Sequence, residues 1–517
     1  MAPNSPKRLV SRALAAALAI VICTAFIDAQ SNARLAEVIR AGDVATAMEL
    51  LKQGARGHSE EADGTTALHW AARLDDARLA RALLAAGARV RAANRYGVTP
   101  LALAAVNGSA PMLELLLNAG ADPNAASGEG ETVLMAAART GRPEPIKLLL
   151  AKGADPNAIE REFGETALMW AAGNDNGEAI HALAAGGANL NARSAIIDLP
   201  KVNVDFSFAV ATALPRGGMT AAMYAARQGR LAAITALADV GADLNAADPE
   251  GSTAIVIATI NAHYDVAARL AEKGADPNIA DAAGMAALYA AVDMKHLGSF
   301  VNRPPPKQSG RLSPSDLVAV LLKHGADPNQ TLRAPLLMRQ HNTGDAALGA
   351  GATPLMRAAK ALDIELMKTL LDHRADPSRA LANGTTTMMV TLTGRGGRTL
   401  TPDTPMFQAI RLLLERGADV NATGANGATL LHQAVDRGEP FVRLLVERGA
   451  KLDLKDAGGR TPLDIALGVP AATPAGGGGG RGRGGPAGGA PGGAAPAIDP
   501  ATITFLREKS SPIGDRR

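Results

Sequence analysis

The chain has 517 residues and a formal net charge of +3, and aromatic residues make up only 3 % of it although hydrophobic residues reach 47 %. A charge so close to zero excludes a strongly basic protein, so no long-range field directs the chain to nucleic acid or anionic lipid. The one cysteine, Cys23, excludes an intramolecular disulfide framework and a zinc site built on several cysteines.

The first predicted element is a secretory signal peptide over residues 1–29. Lys7, Arg8 and Arg12 form its basic start, and Ala13 to Phe26 form an apolar stretch of 14 residues. Cleavage after Ala29 predicts an exported protein of the periplasm or the extracellular space. Spanning a bilayer takes about 20 apolar residues, but an uncleaved anchor stays open as the alternative, and only then do we expect membrane association.

An internal repeat then fills most of the chain. A Gly-Ala step followed by an Asp-x-Asn-like tail recurs, and the first four spacings are 33, 33, 33 and 34 residues. The copies begin at Gly54, Gly87, Gly120, Gly153, Gly187, Gly241, Gly274, Gly325, Gly417 and Gly449, and Arg374 replaces the glycine in one further copy. A fixed period of this length is typical of repeat solenoids.

Each repeat predicts two helices and a hairpin. Thr99 suits an N-cap and Pro100 the first helical position, where a missing N–H costs nothing. Leu113 and Leu116 lie at helical spacing in the second helix, and Gly120 suits a left-handed C-terminal residue. A unit of this size cannot bury its own apolar face, so it must stack on its neighbours.

These motifs resemble the ankyrin repeat. Thr-Pro-Leu-His-like starts and Gly-Ala-Asp-x-Asn ends cover about residues 31–468. The resemblance implies a mainly α fold, an ankyrin-repeat α-solenoid of 11 or 12 helix–turn–helix units joined by β-hairpins, with hairpins and first helices lining a concave face. The signature residues are Thr66, His69, Thr99, Pro100, Thr353, Pro354, His432, Thr461 and Pro462, and the resemblance implies a structural role for both histidines.

Four insertions interrupt the solenoid predicted for residues 30–468, at residues 192–217, 296–313, 330–351 and 394–405. In the first, Val202 to Val210 alternate apolar and polar residues, and this period of two predicts a strand whose apolar face includes Phe206 and Phe208. That face either packs on the flank of the solenoid or contacts a partner. Insertions of this length are uncommon unless they are functional or disordered.

The C-terminal part is predicted to begin with a disordered linker rich in Gly, Pro and Arg over residues 469–498. It carries two arginines and no aromatic residue, which argues against nucleic-acid binding. Residues 499–510 resemble a second repeat helix, so we expect them to complete a capping unit with Thr461–Leu467. Residues 511–517 are predicted to form a disordered tail.

No nucleotide-binding, metal-binding or nucleophile motif is found, so we expect a monomeric, non-catalytic scaffold without cofactor or metal, which binds a protein rather than nucleic acid or a specific small molecule. Positions that contact partners in the family carry the candidate residues Arg73, Asn107, Glu131, Arg139, Glu165, Asn174, Arg227, Gln228 and Asn261, joined by Phe206 and Phe208. The alternatives are an envelope-organising protein with an uncleaved anchor, and an enzyme or cofactor carrier that uses the insertions.

Overall fold

The structure is a computed structural model that describes residues 34–57, 60–197, 216–296, 306–334, 348–394, 399–471 and 498–510. The predicted signal peptide with Ala29, the predicted strand with Phe206 and Phe208, most of the Gly-rich linker and the predicted tail lie outside these residues. Within the described ranges, no helix is long and apolar enough to cross a membrane.

The first of two compact units extends as far as Pro249, and its described residues form six helix pairs. The helices are α1 (residues 34–40), α2 (Val44–Lys52), α3 (Ala67–Arg73), α4 (Ala77–Ala85), α5 (Pro100–Asn107), α6 (Ala110–Asn118), α7 (Val133–Thr140), α8 (Pro143–Ala151), α9 (Ala167–Gly173), α10 (Gly177–Ala185), α11 (Ala221–Arg227) and α12 (Leu231–Asp239). First helices pack on first helices from α3 to α11, and second helices on second helices from α2 to α12.

The second compact unit runs from Glu250 onwards, and its described residues form another six pairs. The helices are α13 (Ala254–Ile260), α14 (Tyr264–Glu272), α15 (Ala287–Lys295), α16 (Pro314–Lys323), α17 (Pro354–Lys360), α18 (Ile364–Asp372), α19 (Thr387–Leu392), α20 (Pro405–Glu415), α21 (Leu430–Ala434), α22 (Glu439–Glu447), α23 (Pro462–Ala466) and α24 (Pro500–Ser510). The predicted fold class, a mainly α solenoid of helix–turn–helix units, is confirmed.

Local chemistry sets where each first helix begins and ends. The hydroxyl of Thr99 accepts a hydrogen bond from the backbone N–H of Ala102 at 3.2 Å, and Pro100 occupies the first helical position. Gly108 ends the same helix with a φ of 63°, in the left-handed region that glycine adopts without a steric penalty. The same start recurs at Thr353, where the hydroxyl accepts from the N–H of Met356 at 3.2 Å.

In five copies, the asparagine of the Asp-x-Asn tail links one hairpin to the next. The Asn124 amide donates to the carbonyl of Gly153 at 2.9 Å, and its oxygen accepts from the N–H of Asp155 at 2.7 Å. The same pair of bonds recurs at Asn157, Asn278, Asn329 and Asn421. The asparagine therefore recurs because one side chain satisfies a carbonyl and an N–H of the following repeat.

Apolar side chains fill the space between stacked helices. Leu101, Leu113 and Leu116 are almost completely buried, and so are the small residues Ala104 and Ala105. Alanine lets neighbouring first helices approach closely, while leucines of the second helices supply most of the buried apolar area. The core is consequently a series of similar small contacts, which is the energetic pattern expected of a repeat stack.

The described ends of the insertions are attached to neighbouring elements. Strand β1 (Ile196–Ile197) pairs antiparallel with β2 (Arg216–Gly217) at the base of the first insertion. At the end of the second, the Ser309 hydroxyl lies 2.6 Å from Nδ1 of His263, and Asp265 accepts hydrogen bonds from the N–H groups of residues 311 and 312. These contacts fix where the insertion returns to the repeat.

Helix α24 lies against α22 and α23. Phe505 and Leu506 are buried, with 6 % and 0 % of their surface exposed, and the guanidinium of Arg443 lies 4.5 Å from the centre of the Phe505 ring. Residues far from α23 in the sequence thus occupy the position beside α23 that a second helix occupies in the other pairs.

Candidate partner-binding surface

The two signature histidines connect neighbouring repeats. Nδ1 of His69 accepts from the backbone N–H of Thr66 at 3.0 Å, so the proton of the neutral ring is on Nε2, which lies 2.9 Å from the carbonyl oxygen of Val98. His432 makes the equivalent contacts. Burial lowers the pKa of both histidines. Each neutral ring therefore holds a turn and reaches the next hairpin.

In the first unit, three arginines of first helices each lie over an aromatic ring. Trp70, Trp170 and Tyr224 occupy the same position, four residues after the N-cap threonine of their first helix. The distances from the guanidinium carbon to the ring centre are 5.6 Å for Arg73 over Trp70, 5.5 Å for Arg139 over Trp170 and 5.0 Å for Arg227 over Tyr224. These residues form the first-helix face.

The predicted arginines are the exposed members of this face, whereas the aromatic rings are half-buried or buried. Attraction between a guanidinium and the face of a ring holds both groups in place and is worth roughly 0.5–1 kcal/mol at an exposed site. Each of the three predicted arginines therefore lies beside the ring of a Trp or Tyr.

The two predicted glutamates lie beside these pairs. A carboxylate oxygen of Glu131 is 3.8 Å from the Arg139 guanidinium. Burial raises the pKa of Tyr224 to about 12, a hydrogen bond with Ser194 acts against that rise, and Glu165 beside the hydroxyl adds to it. The face therefore carries glutamates as well as arginines, which makes it polar without a large net charge.

The predicted asparagines have hydrogen-bond partners within the protein. The Asn107 amide donates to the carbonyls of Ala72 and Arg73 at 2.9 and 3.0 Å, which caps the last turn of α3 from the following repeat. Asn174 and Asn261 donate to carbonyls four residues earlier in the chain. Gln228 is exposed, and its oxygen lies 3.4 Å from a nitrogen of Arg230. These donors serve helix ends, which the residue types alone do not reveal.

A polar network occupies the same position in the second unit. Nε of Arg357 lies 2.6 Å from Oδ1 of Asp293, and Oδ2 of Asp363 lies 2.6 Å from Nζ of Lys295 and 3.1 Å from Nε2 of His296. Burial acts to raise the pKa of Asp363, but hydrogen bonds from His296 and Lys295 outweigh it and hold that pKa well below its usual value. The network joins α15 to α17 and α18.

No motif in the sequence connects His296 with Asp293, Arg357 or Asp363. The sequence shows only that charged residues lie in α15 and α17, which does not indicate which of them pair. Among the described residues, no group of three or more His, Cys, Asp and Glu side chains is arranged to hold a metal ion.

A family model described as ankyrin repeats (3 copies) matches residues 35–127, 120–194, 209–281 and 404–469. Together these matches cover more than half of the chain. No curated protein matches the chain significantly. The matched ranges include the first-helix face and the signature turns around both histidines.

Proposed function

Because the chain belongs to the ankyrin-repeat family, whose repeats generally mediate protein–protein interaction, we propose that it is a non-catalytic scaffold that binds a partner protein in the periplasm or the extracellular space. The observation that carries this proposal is the row of three Arg–aromatic pairs on the first-helix face. We propose Arg73, Arg139 and Arg227 as its central contact residues, with Glu131 and Glu165 beside them.

The residue types on this face favour a protein partner. Trp, Tyr and Arg are enriched among the few residues that supply most of the binding energy in protein interfaces, because they offer a large contact area together with directional polar groups. Stacked helices hold the rings in place before any partner arrives, so binding costs little ordering entropy. A protein surface offers the carboxylates, carbonyls and apolar groups that such a row recognises.

The first insertion is proposed as a second contact element. Its base, β1 and β2, leaves the hairpin that precedes α11, and α11 carries Tyr224 and Arg227. Phe206 and Phe208 belong to that insertion, which returns to the repeat just before the helix that carries Arg227. Deleting residues 198–215 is expected to weaken partner binding while the first-helix face keeps its own contribution.

Export is proposed from the N-terminal residues alone, because a basic start, an apolar stretch and a small residue at position 29 are typical of a cleaved signal peptide. N-terminal sequencing of the protein recovered from envelope and culture fractions tests this. A start at Gln30 supports export with cleavage, whereas a retained Met1 would support the anchored alternative.

The binding proposal is tested by affinity capture with the full chain. The test variant R73A/R139A/R227A removes the three arginines of the first-helix face. The control R78A/R81A/K147A removes the same charge from exposed positions of second helices. We expect the test variant to lose the proteins captured by the wild type and the control to keep them. Equal loss from both variants would show that only net charge matters and would contradict the proposal.

A further inference from the structure

The first Arg–aromatic pair contains a bound carboxylate of the protein itself. Nε1 of Trp70 donates to Oε1 of Glu61 at 2.9 Å, and Oε2 of Glu61 lies 4.0 Å from the guanidinium of Arg40. Arg40 ends α1, the first helix of the preceding pair. One carboxylate therefore bridges the indole N–H of one repeat and an arginine at the helix end of the repeat before it.

The pair of Arg139 and Trp170 offers the same two donors, an indole N–H and an arginine of the preceding first helix, but no carboxylate of the described residues lies between them. Arg139 lies in the last turn of α7, the first helix of the preceding pair, and its guanidinium covers the Trp170 ring. Nε1 of Trp170 is enclosed but has no hydrogen-bond partner among the described residues. A buried donor without an acceptor is costly, and in folded proteins such a group calls for an explanation.

Glu160 corresponds to Glu61 in this repeat, but its carboxylate binds backbone N–H groups instead of the indole. The N–H of Glu61 donates to the carbonyl of Thr65 at 2.8 Å, and the N–H of Glu160 makes the equivalent bond with Glu165 at 3.0 Å. However, the Glu160 carboxylate is buried and accepts three backbone N–H groups of its own loop at 2.6, 2.7 and 3.0 Å. It is therefore not available to Trp170.

We propose that Arg139 and Trp170 form a carboxylate site for the partner protein, which accepts the side chain of an aspartate or glutamate or a C-terminal carboxylate. One oxygen accepts from Nε1 of Trp170 and the other pairs with Arg139, as Glu61 is held by Trp70 and Arg40. A carboxylate oxygen of Glu131 lies 3.8 Å from the Arg139 guanidinium, beyond hydrogen-bond distance, so this ion pair does not occupy the guanidinium with a hydrogen bond. Entry requires a change in the side-chain conformation of Arg139, which is exposed.

This inference rests on the proposed function and adds the chemistry of the partner, namely an exposed carboxylate. It is tested with W70F of the full chain, since the sequence has two tryptophans and Trp170 is then the only indole. The probes are an oligoglutamate peptide blocked at both ends, an oligoglutamine peptide blocked at both ends, and an oligoglutamine peptide with a free C-terminal carboxylate. The readout is tryptophan emission during titration.

We expect a saturable change in emission with the oligoglutamate peptide if a side-chain carboxylate is recognised, and with the free C-terminus if a terminal carboxylate is recognised. The blocked oligoglutamine peptide is expected to have no effect. In the W70F background, R139Q is expected to weaken the affinity by about tenfold or more, because a charge-assisted pair is lost. The matched control R81Q, in the same background, removes an exposed arginine of α4 that lies outside the first-helix face, and it is expected to leave the affinity unchanged.

The site would be overturned if neither the oligoglutamate peptide nor the peptide with a free C-terminus caused a saturable change in emission. Equal weakening by R139Q and R81Q would also overturn it, since it would show only general attraction between opposite charges. The site and the proposed function fail separately. A partner that binds the wild type and W170F equally well contradicts the carboxylate site alone, whereas a partner whose binding survives R73A/R139A/R227A contradicts the scaffold surface itself.

Discussion

The polar network between α15 and α18 gives the sharpest stability prediction. Asp363 caps α18 by accepting the N–H of Leu366 at 3.1 Å, and the same side chain lies 2.6 Å from Nζ of Lys295 and 3.1 Å from Nε2 of His296. D363N keeps a good capping group but removes the charge, whereas D363A removes both. Breaking a buried ion pair costs about 3–5 kcal/mol. Because the Lys295 side chain is 30 % exposed, we expect about 2 kcal/mol for D363N after discounting for solvent, and about 1 kcal/mol more for D363A from the lost cap.

Hydrogen exchange measured by mass spectrometry on peptides from α15 to α18 reads this local stability directly. D76N is the control, since Asp76 caps α4 through the N–H of Leu79 at 2.8 Å and asparagine caps a helix about as well as aspartate. We expect faster exchange around α15 and α18 in D363N and unchanged exchange around α4 in D76N. The pKa of Asp363 is lowered in the fold, so its contribution is present at neutral pH and is lost as pH falls through that depressed pKa. Unchanged exchange in D363N at neutral pH would refute the reasoning.

Three further predictions concern single repeats. Burial lowers the pKa of His69 from 6.5, so as pH falls below about 6.5 the unfolded state takes up the proton first and the free energy of unfolding decreases. Urea unfolding at several pH values is expected to show a smaller decrease for H69Q than for the wild type. An equal decrease would contradict this. Arg374 has a φ of 69° where the other copies carry glycine, so R374G is expected to raise stability by about 0.5–1 kcal/mol in the same assay, and a decrease would contradict this. L506A removes a fully buried side chain of α24 and is expected to weaken its docking by about 2–4 kcal/mol in hydrogen exchange, whereas the exposed control E508A is expected to leave exchange in α24 unchanged.

The repeat architecture could be predicted because its determinants are local. Thr99 and Pro100 start a helix, as do Thr353 with Pro354 and Thr461 with Pro462. Asn124 bridges to the next repeat through bonds that other copies of the motif also make. Each unit carries its own start and end signals, so a period of 33 residues specifies the fold.

The surface chemistry was harder to predict, because it depends on contacts between repeats. Asp293 and Arg357 are 64 residues apart, and no motif indicates that they pair. Asn107 lies at a position that suits partner contact, but its amide folds back onto the carbonyl of Ala72. Nε1 of Trp170 has no acceptor among the described residues because the Glu160 carboxylate binds backbone N–H groups of its own loop instead. That choice depends on the conformation of the hairpin, which the sequence pattern does not reveal.

The central claim is that the first-helix face of the first unit contacts the partner protein. Site-specific photo-crosslinking tests it most directly, with a photoreactive residue at position 139 in one variant and at position 147, an exposed position of α8, in the other. The account predicts a crosslinked complex with the partner from position 139 and none from position 147. Crosslinking from position 147 in place of position 139, or equally from both, would contradict it.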